Sequence, residues 1–342
     1  MLGYGFMGRA HAHALRVLSY MTGPPAIAPR LVAVAARDEQ RRGEFAERFG
    51  FHRHTADWRE VVADPDVQVV ENLLPNHLHA EPAIAAAEAG KHVLCEKPLA
   101  RNAEEARSML AAAAGAGVVH MCAFNYRFVP AVRRARELLE AGELGQIHHF
   151  RAAYRQSWGP DPARAAVWRF DAEAAGGGAL GDLASHVVDL ARYLVGEIAS
   201  VAAEAATFVP GREVDDAVAA AVTFQSGAIG TVEATRFATG EANRFTWEIN
   251  GSDGSLAFDL ERLNELVVDG RRTQVMPEGW WPPGHGLGWE HTFVFELRRF
   301  LDAVAGDDTV APHGATFEDG VRAAEICDAI RASAAEGQRI PT

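Results

Sequence analysis

Gly3-Tyr4-Gly5-Phe6-Met7-Gly8 has the spacing G-x-G-x-x-G, and a helix is predicted directly after it, over about Arg9 to Tyr20. Glycines at these positions let the backbone turn tightly beside a pyrophosphate, which then lies at the N-terminus of the helix. The spacing alone is a weak signal, because an ordinary glycine turn also produces it. The segments that follow must show whether it belongs to a dinucleotide-binding fold.

Short apolar runs alternate with helical segments as far as residue 123. Strands are predicted at residues 31–36, 67–73, 92–95 and 118–123, with helices between them. Strands that alternate with helices at this spacing form a parallel, doubly wound sheet. The sequence therefore predicts an α/β protein with an N-terminal, dinucleotide-binding Rossmann domain over residues 1–123.

The start of the chain departs from this pattern. The fold needs an apolar strand immediately before the first glycine, yet only Met1 and Leu2 precede Gly3. We therefore expect the first strand to be truncated, by about five residues if the strand has ordinary length.

Composition sets the outer limits. The chain has 342 residues, of which 48% are hydrophobic and 23% charged, so two globular domains are expected. The formal net charge of -13 argues against nucleic acid or an anionic membrane as a partner. Cys95, Cys122 and Cys327 are widely spaced, which fits a reducing cytoplasm. No apolar run is as long as a membrane span, and no leader peptide is recognisable.

A second glycine-rich stretch, Gly176 to Gly181, leads into a predicted helix with ionisable side chains. At 3.6 residues per turn, Asp182, His186 and Asp189 share one face of that helix. The glycines are expected to leave N–H groups free at the helix start for a polar ligand. A histidine with a carboxylate one turn before it can handle protons, although a merely solvated helix face has the same pattern.

Polar groups also follow two of the predicted strands, and ligands of open parallel sheets bind at such carboxyl ends. Pro75-Asn76-His77-Leu78-His79 follows one strand, and Glu96-Lys97-Pro98 follows the next. Pro98 restricts Lys97 to extended backbone, so its ammonium is expected at the sheet edge, where it would stabilise a developing alkoxide. A solvated Lys97, and histidines that only begin a helix, are the alternatives.

The cofactor choice depends on the end of the second strand, Ala36-Arg37-Asp38. NAD enzymes commonly place an acid here for the ribose 2′-hydroxyl, while an arginine accommodates the 2′-phosphate of NADP. Arg37 therefore favours NADP or dual use over strict NAD, unless it is only a surface cation.

Three motifs in this order resemble a known family. Gly3 to Gly8, Glu96-Lys97-Pro98, and Gly177 to Asp182 with His186 and Asp189 are similar to the glucose-fructose oxidoreductase, inositol dehydrogenase and rhizopine-catabolism (Gfo/Idh/MocA) family. The resemblance spans nearly the whole chain. Within the family, three segments of this chain resemble the levoglucosan dehydrogenase branch in particular: residues 75–80, 168–170 and 191–197.

The resemblance implies a C-terminal α+β domain, here residues 124–342, with a large, mainly antiparallel open sheet. Alternating strands punctuated by hairpin glycines agree with this; they are predicted at residues 146–156, 200–209, 217–225, 228–236, 243–250 and 255–260, followed by helices at 291–305 and 317–336. In relatives the open face of such a sheet pairs with other subunits, so a homodimer or homotetramer is expected.

The resemblance places the catalytic roles on Lys97, Asp182 and His186. His186 is expected to take the proton of a ring hydroxyl, Lys97 to stabilise the alkoxide, and Asp182 to orient the substrate. No metal site is expected, because the histidines lack metal-ligand spacing. The expected cofactor contacts are Gly3, Gly5, Phe6, Met7, Gly8, Arg37, Asp38, Pro75, Asn76, His79, Glu96 and Lys97.

Sugar specificity is expected from the second domain, because aromatic faces stack on carbohydrate C–H surfaces and arginine donates to hydroxyl groups. Each aromatic could instead belong to the core. The loop Trp280 to Gly286 is expected to close over the site or to cover an oligomer contact. The substrate-binding candidates are Tyr126, Arg127, Trp158, Trp168, Arg169, Asp182, His186 and His285.

The sequence thus predicts an NAD(P)-dependent oxidoreductase that acts on a secondary alcohol of a sugar, anhydrosugar or cyclitol. Two alternatives stay open: an NAD-dependent glycoside hydrolase that oxidises, eliminates and re-reduces, and a non-catalytic, dinucleotide-sensing regulator. The presence of Lys97, Asp182 and His186 speaks against the regulator, which would not require them.

Overall fold

The computed structural model describes residues 1–22, 26–161, 168–276 and 284–342. These form two compact units. The first comprises residues 1–100, 104–128 and 288–321, and the second comprises 101–103, 129–287 and 322–342. Residues 288–321 therefore group with the first unit, whereas the sequence analysis assigned everything after 123 to the second. Residues 280–283 of the Trp280–Gly286 loop lie outside the described part of the chain.

Capping residues set the ends of described helices. Helix α2, for example, begins after Asp38, whose side chain caps it, and ends at Gly50, which has a φ of 78°. None of them is both long and apolar enough to cross a membrane. The α-helices are α1 (Phe6–Thr22), α2 (Glu39–Phe49), α3 (Trp58–Ala63), α4 (Ala80–Glu88), α5 (Ala103–Ala116), α6 (Pro130–Glu140), α7 (Ala172–Ala175), α8 (Ser185–Leu194), α9 (His291–Ala305) and α10 (Phe317–Glu336).

The strands fall into a parallel set and a mainly antiparallel set. The first unit contains β1 (Ala33–Ala35), β2 (Arg53–Thr55), β3 (Val69–Asn72), β4 (His92–Glu96) and β5 (His120–Ala123). The second contains β6 (Ile147–Arg155), β7 (Ile198–Ala206), β8 (Ala217–Phe224), β9 (Ile229–Thr235), β10 (Arg244–Gly251), β11 (Ser255–Asp259), β12 (Glu265–Val268), β13 (Arg271–Gln274) and β14 (Ile340–Pro341).

The sheet of the first unit is parallel and is joined at its centre by Leu2. β1 pairs with β2, and β4 pairs with both β3 and β5, all in parallel. Leu2 forms parallel bridges to Ala35 and Asn72, and its N–H donates to the carbonyl oxygen of Glu71 at 2.8 Å. The described order is β2, β1, Leu2, β3, β4, β5. Met1 and Leu2 thus occupy the central position, where the sequence analysis expected a truncated strand.

The second unit is built on one large sheet. Its described strands lie in the order β13, β12, β11, β10, β6, β9, β8, β7, β14, and neighbours are antiparallel except for the parallel pair β6 and β9. Alternate residues of β8, such as Val218, Ala220 and Val222, are buried, as expected for a sheet with one covered face. The predicted fold class, a Rossmann sheet plus a mainly antiparallel open sheet, is confirmed.

The sequence analysis missed the hairpin of β12 and β13. Val268 pairs with Arg271 across a two-residue turn, in which Asp269 and Gly270 have φ of 49° and 77°. Two consecutive positive φ values define the tight turn that Asp-Gly favours.

Candidate active site

The glycine turn before α1 has the geometry that its spacing predicts. Gly3 has a φ of 100°, and a Cβ there would lie 2.8 Å from the carbonyl oxygen of Leu73. A Cβ on Gly8 would lie 2.6 Å from the carbonyl oxygen of Gly3, so both positions exclude a side chain. At Gly5 a Cβ would meet no described atom within 4 Å. This open space, beside a helical turn whose N–H groups lack intrahelical acceptors, fits the pyrophosphate of a dinucleotide.

Arg37 and Asp38 follow β1, and both are exposed. Oδ1 of Asp38 accepts the N–H of Arg41 at 2.9 Å, so one carboxylate oxygen is committed to capping α2. Arg42, which the sequence analysis did not single out, is buried and donates to the carbonyl oxygens of Ala36 at 3.0 Å and Arg37 at 3.2 Å. The loop is therefore held from inside, with the Arg37 side chain at the surface.

The loop after β3 contains Pro75, Asn76 and His79. The His79 ring is completely buried. Its Nδ1 lies 3.0 Å from the carbonyl oxygen of Pro98, and its Nε2 lies 2.8 Å from that of Leu74. Burial lowers the pKa of His79, against the opposing effect of these carbonyl groups and of Glu96. The imidazole therefore ties two loops together, and its expected contact with a cofactor stays a prediction.

The end of β4 places Glu96, Lys97 and Pro98 at the carboxyl edge of the parallel sheet. The Glu96 carboxylate is buried, and its Oε2 accepts the backbone N–H of Lys97 at 3.0 Å. Lys97 itself is half-buried, and the Lys97–Pro98 peptide bond is cis. The backbone of Lys97 is thus fixed by a charge-assisted hydrogen bond.

In the second unit, the prediction of free N–H groups at the Gly176–Gly181 stretch is wrong. Oδ1 of Asp215 accepts the N–H of Gly178 at 2.8 Å, and its Oδ2 accepts that of Leu180 at 2.7 Å. The backbone oxygen of Asp215 accepts the N–H of Ala179 at 2.9 Å. A Cβ on Gly178 would lie 1.7 Å from that oxygen. The missing side chain at Gly178 therefore allows the backbone of Asp215 to approach closely, and the Asp215 carboxylate caps the turn.

The sequence analysis placed Asp182, His186 and Asp189 on one face of a regular α-helix, but α8 is preceded by a π-helical turn, Leu180–Ala184. A π turn inserts an extra residue and rotates what precedes it. Asp182 lies in this turn, and its side chain is 18% exposed. His186 and Asp189 on α8 are buried, with only 5% and 1% of their surface exposed. The His186 ring lies 6.0 Å, between centroids, from that of Tyr154.

Asp182 is held by two guanidinium groups, one of which was not predicted. Nη2 of Arg236 donates to its Oδ2 at 3.1 Å, and Nε of Arg169 lies 3.8 Å from the same oxygen. Arg236 is completely buried. Burial lowers the pKa of Arg236, while Asp182 and Asp215 oppose that shift. An arginine at the end of β9 carries no local sequence signal, so only the tertiary contact reveals it.

Aromatic side chains surround these arginines within the second unit. The guanidinium carbon of Arg236 lies 4.7 Å from the ring centroid of Trp158, and that of Arg169 lies 4.5 Å from Trp168. The Trp158 ring is 5.3 Å from that of Phe170. Trp158, Trp168 and Arg169, predicted as substrate-binding, are thus brought together with Asp182, and none of them is buried in the core.

Two other substrate-binding candidates, Tyr126 and Arg127, belong to the first unit. Arg127 is buried in the first unit, where its Nη2 lies 3.1 Å from Oδ1 of Asp319, so its charge is engaged in an internal ion pair and its role in substrate binding stays a prediction. Tyr126 is likewise buried, and His285 is exposed. Lys97 belongs to the first unit, and Asp182 and His186 to the second, so their joint action stays a prediction.

Comparison with known proteins identifies the family. Residues 1–124 match a family model described as "Oxidoreductase family, NAD-binding Rossmann fold", and residues 132–257 match "GFO/IDH/MocA C-terminal domain". The chain belongs to the GFO/IDH/MocA oxidoreductase family. Family membership confirms the predicted class, an NAD(P)-dependent oxidoreductase.

The relatives of this GFO/IDH/MocA chain include enzymes of sugar oxidation. Levoglucosan dehydrogenase of Pseudarthrobacter phenanthrenivorans is 42% identical over 375 residues, which cover 98% of this chain and 95% of the relative. A solved levoglucosan dehydrogenase in complex with NADH and levoglucosan is 44% identical, has a TM-score of 0.96, and covers 99% of this chain and 97% of its own. D-xylose 1-dehydrogenase (NADP(+)) 2 of Haloferax volcanii is 33% identical over 349 residues, covering 98% of each chain.

Proposed function

We propose that the protein is an NAD(P)-dependent dehydrogenase that oxidises a secondary alcohol of an anhydrosugar, with levoglucosan as the first candidate. The observation that carries the proposal is the Asp182 carboxylate, part-exposed between Arg236 and Arg169 and beside Trp158 and Trp168. A polar anchor flanked by aromatic faces suits a polyhydroxylated ring. The similarity to levoglucosan dehydrogenase over nearly the whole chain supports the same substrate class.

The proposed chemistry divides among three residues. A bound nicotinamide supplies the hydride acceptor. His186, which is only 5% exposed, takes the proton of the substrate hydroxyl, because a histidine is suited to general-base catalysis near neutral pH. The Lys97 ammonium stabilises negative charge as it develops on the hydroxyl oxygen. Asp182, fixed by two arginines, accepts hydrogen bonds from substrate hydroxyl groups and so orients the ring.

We also propose that the enzyme accepts NADP as well as NAD. One carboxylate oxygen of Asp38 is occupied by the helix cap, while Arg37 lies exposed beside it, where it can pair with a 2′-phosphate. An Arg37→Ala variant should lower kcat/KM for NADP by about tenfold, the value of one exposed charge-assisted contact, and leave NAD nearly unchanged. Equal losses with both cofactors would contradict this role.

A self-associated form is proposed from the open face of the sheet. That face holds a depression of about 430 Å³ lined by both signs of charge, including Arg151, Arg155, Glu233 and Glu248. A surface with mixed charges can be complementary to its own copy across a two-fold axis. Sedimentation velocity should show a dimer or larger species, and a monomer at micromolar concentration would refute the proposal.

The test of function is a substrate screen. Reduction of NAD and NADP is followed with levoglucosan, myo-inositol, scyllo-inositol, glucose and simple glucosides. Accumulation of reduced cofactor with levoglucosan supports the dehydrogenase. Substrate consumption without net reduction would favour the glycoside hydrolase, and cofactor binding without any turnover would favour the regulator.

A further inference from the structure

Three ionisable side chains meet inside the first unit, next to the proposed catalytic lysine. His11 on α1 is completely buried, and Glu71 on β3 and Glu96 at the end of β4 are 6% and 5% exposed. Nδ1 of His11 lies 3.6 Å from Oε2 of Glu71, and its Nε2 lies 3.3 Å from Oε1 of Glu96. These are ion-pair distances, longer than those of tight hydrogen bonds. The ring of Phe293 on α9 lies 5.3 Å from the imidazole and shields it.

The charges of this cluster require a cation at its centre. Two buried carboxylates without a counter-ion are costly, because each loses its hydration and each repels the other. Burial alone would lower the pKa of His11, but the attraction of the Glu71 and Glu96 carboxylates outweighs it and raises the pKa to about 10. His11 is therefore an imidazolium at neutral pH, and it fixes one oxygen of each carboxylate.

The cluster is connected to Lys97 through Glu96. One oxygen of that carboxylate faces His11, and the other accepts the backbone N–H of Lys97. The next two carbonyl groups along the chain, those of Pro98 and Leu99, lie 3.0 and 3.2 Å from Nδ1 of the buried His79. The Lys97 turn is thus held on one side by its hydrogen bond to the Glu96 carboxylate and on the other by the His79 imidazole.

We propose that His11 is a positioning residue for catalysis: it anchors the Glu96 carboxylate, and Glu96 in turn holds the backbone from which the Lys97 ammonium reaches the substrate oxygen. This inference rests on the proposed function. It adds a residue on α1 that touches neither substrate nor cofactor. A misplacement of about 1 Å in a catalytic group can cost 10²-fold in rate, so loosening this anchor lowers kcat while the glycine turn still binds the cofactor.

The first comparison sets His11→Gln against His13→Gln. His13 lies two residues away on the same helix and is exposed, so its substitution controls for changes to α1 itself. His11→Gln should lower kcat by about 10- to 100-fold, with the Kd for NADH within about threefold of wild type, since its N–H contacts at the glycine turn are unaltered. His13→Gln should leave both kcat and the Kd for NADH unchanged.

Two double variants separate positioning from stability. His11→Gln/Glu71→Gln and His11→Gln/Glu96→Met both remove one of the two carboxylates, so both should recover thermal stability lost in His11→Gln. Only the first retains the carboxylate that accepts the N–H of Lys97, so its kcat should exceed that of the second, but it should stay below wild type because the imidazolium that anchors Glu96 is still missing. This comparison also applies if His11→Gln alone fails to fold.

Equal kcat in the two double variants, or a wild-type kcat in His11→Gln with only a lower Tm, would overturn the positioning role and leave the proposed function intact. A wild-type protein that reduces neither NAD nor NADP with any substrate of the screen would overturn the proposed function, and the inference with it.

Discussion

Arg236→Met tests whether the buried guanidinium holds Asp182 for catalysis. The wild-type pair has an N to O distance of 3.1 Å, with side-chain exposures of 1% for Arg236 and 18% for Asp182. Removing one partner of a fully buried pair costs about 3–5 kcal/mol. Asp182 is part-exposed and keeps Arg169 at 3.8 Å, so the lower range of a hydrogen bond to a charged group, about 1.5–3 kcal/mol, is expected.

The same loss, expressed in the transition state, lowers kcat/KM for levoglucosan by about 10- to 100-fold. The assay is steady-state reduction of NAD or NADP, together with thermal unfolding and NADH binding. Arg134→Met is the matched control, because Arg134 pairs with Glu137 at 2.9 Å but the two side chains are 51% and 60% exposed; it should cost less than about 1 kcal/mol and leave kcat/KM unchanged. A kcat/KM within threefold of wild type for Arg236→Met would refute the role assigned to Arg236.

Three further changes test the fold beneath the site. Gly178→Ala should destabilise the protein by more than about 3 kcal/mol in urea unfolding, because its Cβ would lie 1.7 Å from a backbone oxygen. The control is Gly115→Ala, inside α5 with open space around it, which should be neutral or stabilising by up to about 1 kcal/mol. Lys91→Met should cost about 1–3 kcal/mol, because the buried ammonium donates to two carbonyl groups at 2.8 and 2.6 Å, and kcat should not change. The pKa of His11 is raised to about 10, so protonation of His11 adds stability that is complete below about pH 6.5 and is lost as pH rises toward 10. The Tm of the wild type should therefore fall over that range more than the Tm of His11→Gln. Parallel profiles of Tm against pH would contradict the buried cation.

The parallel sheet could be predicted from sequence because its signals are local. Apolar runs, the glycine turn and the Asp38 cap each act within a few residues, and the structure has β1, β3, β4 and β5 within the predicted segments, except that β4 runs one residue longer, to Glu96. The hairpin of β12 and β13 was missed although Asp269-Gly270 is a strong turn signal. Its flanking residues, such as Arg271 and Arg272, are charged and exposed, so the apolar alternation that marks a strand is absent.

The candidate site was only partly predictable, because its geometry depends on contacts between distant segments. The N–H groups of the glycine stretch were expected to be free, but Asp215, more than thirty residues away, accepts them. Arg127 was expected to bind substrate from its residue type, yet Asp319 pairs with it across 192 positions of sequence. Arg236 was not assigned a role for the same reason: its partner Asp182 is adjacent in space and 54 positions away in sequence.

Hydride transfer from the sugar carbon is the central claim, and isotope transfer tests it most directly. The protein is mixed with perdeuterated levoglucosan and NAD or NADP in ordinary water, and the reduced cofactor is analysed by mass spectrometry. Reduced nicotinamide that carries one deuterium atom is expected, and His186→Ala and Lys97→Met should each abolish its formation. Reduced cofactor without deuterium, or levoglucosan consumed with no reduced cofactor formed, would contradict the central claim.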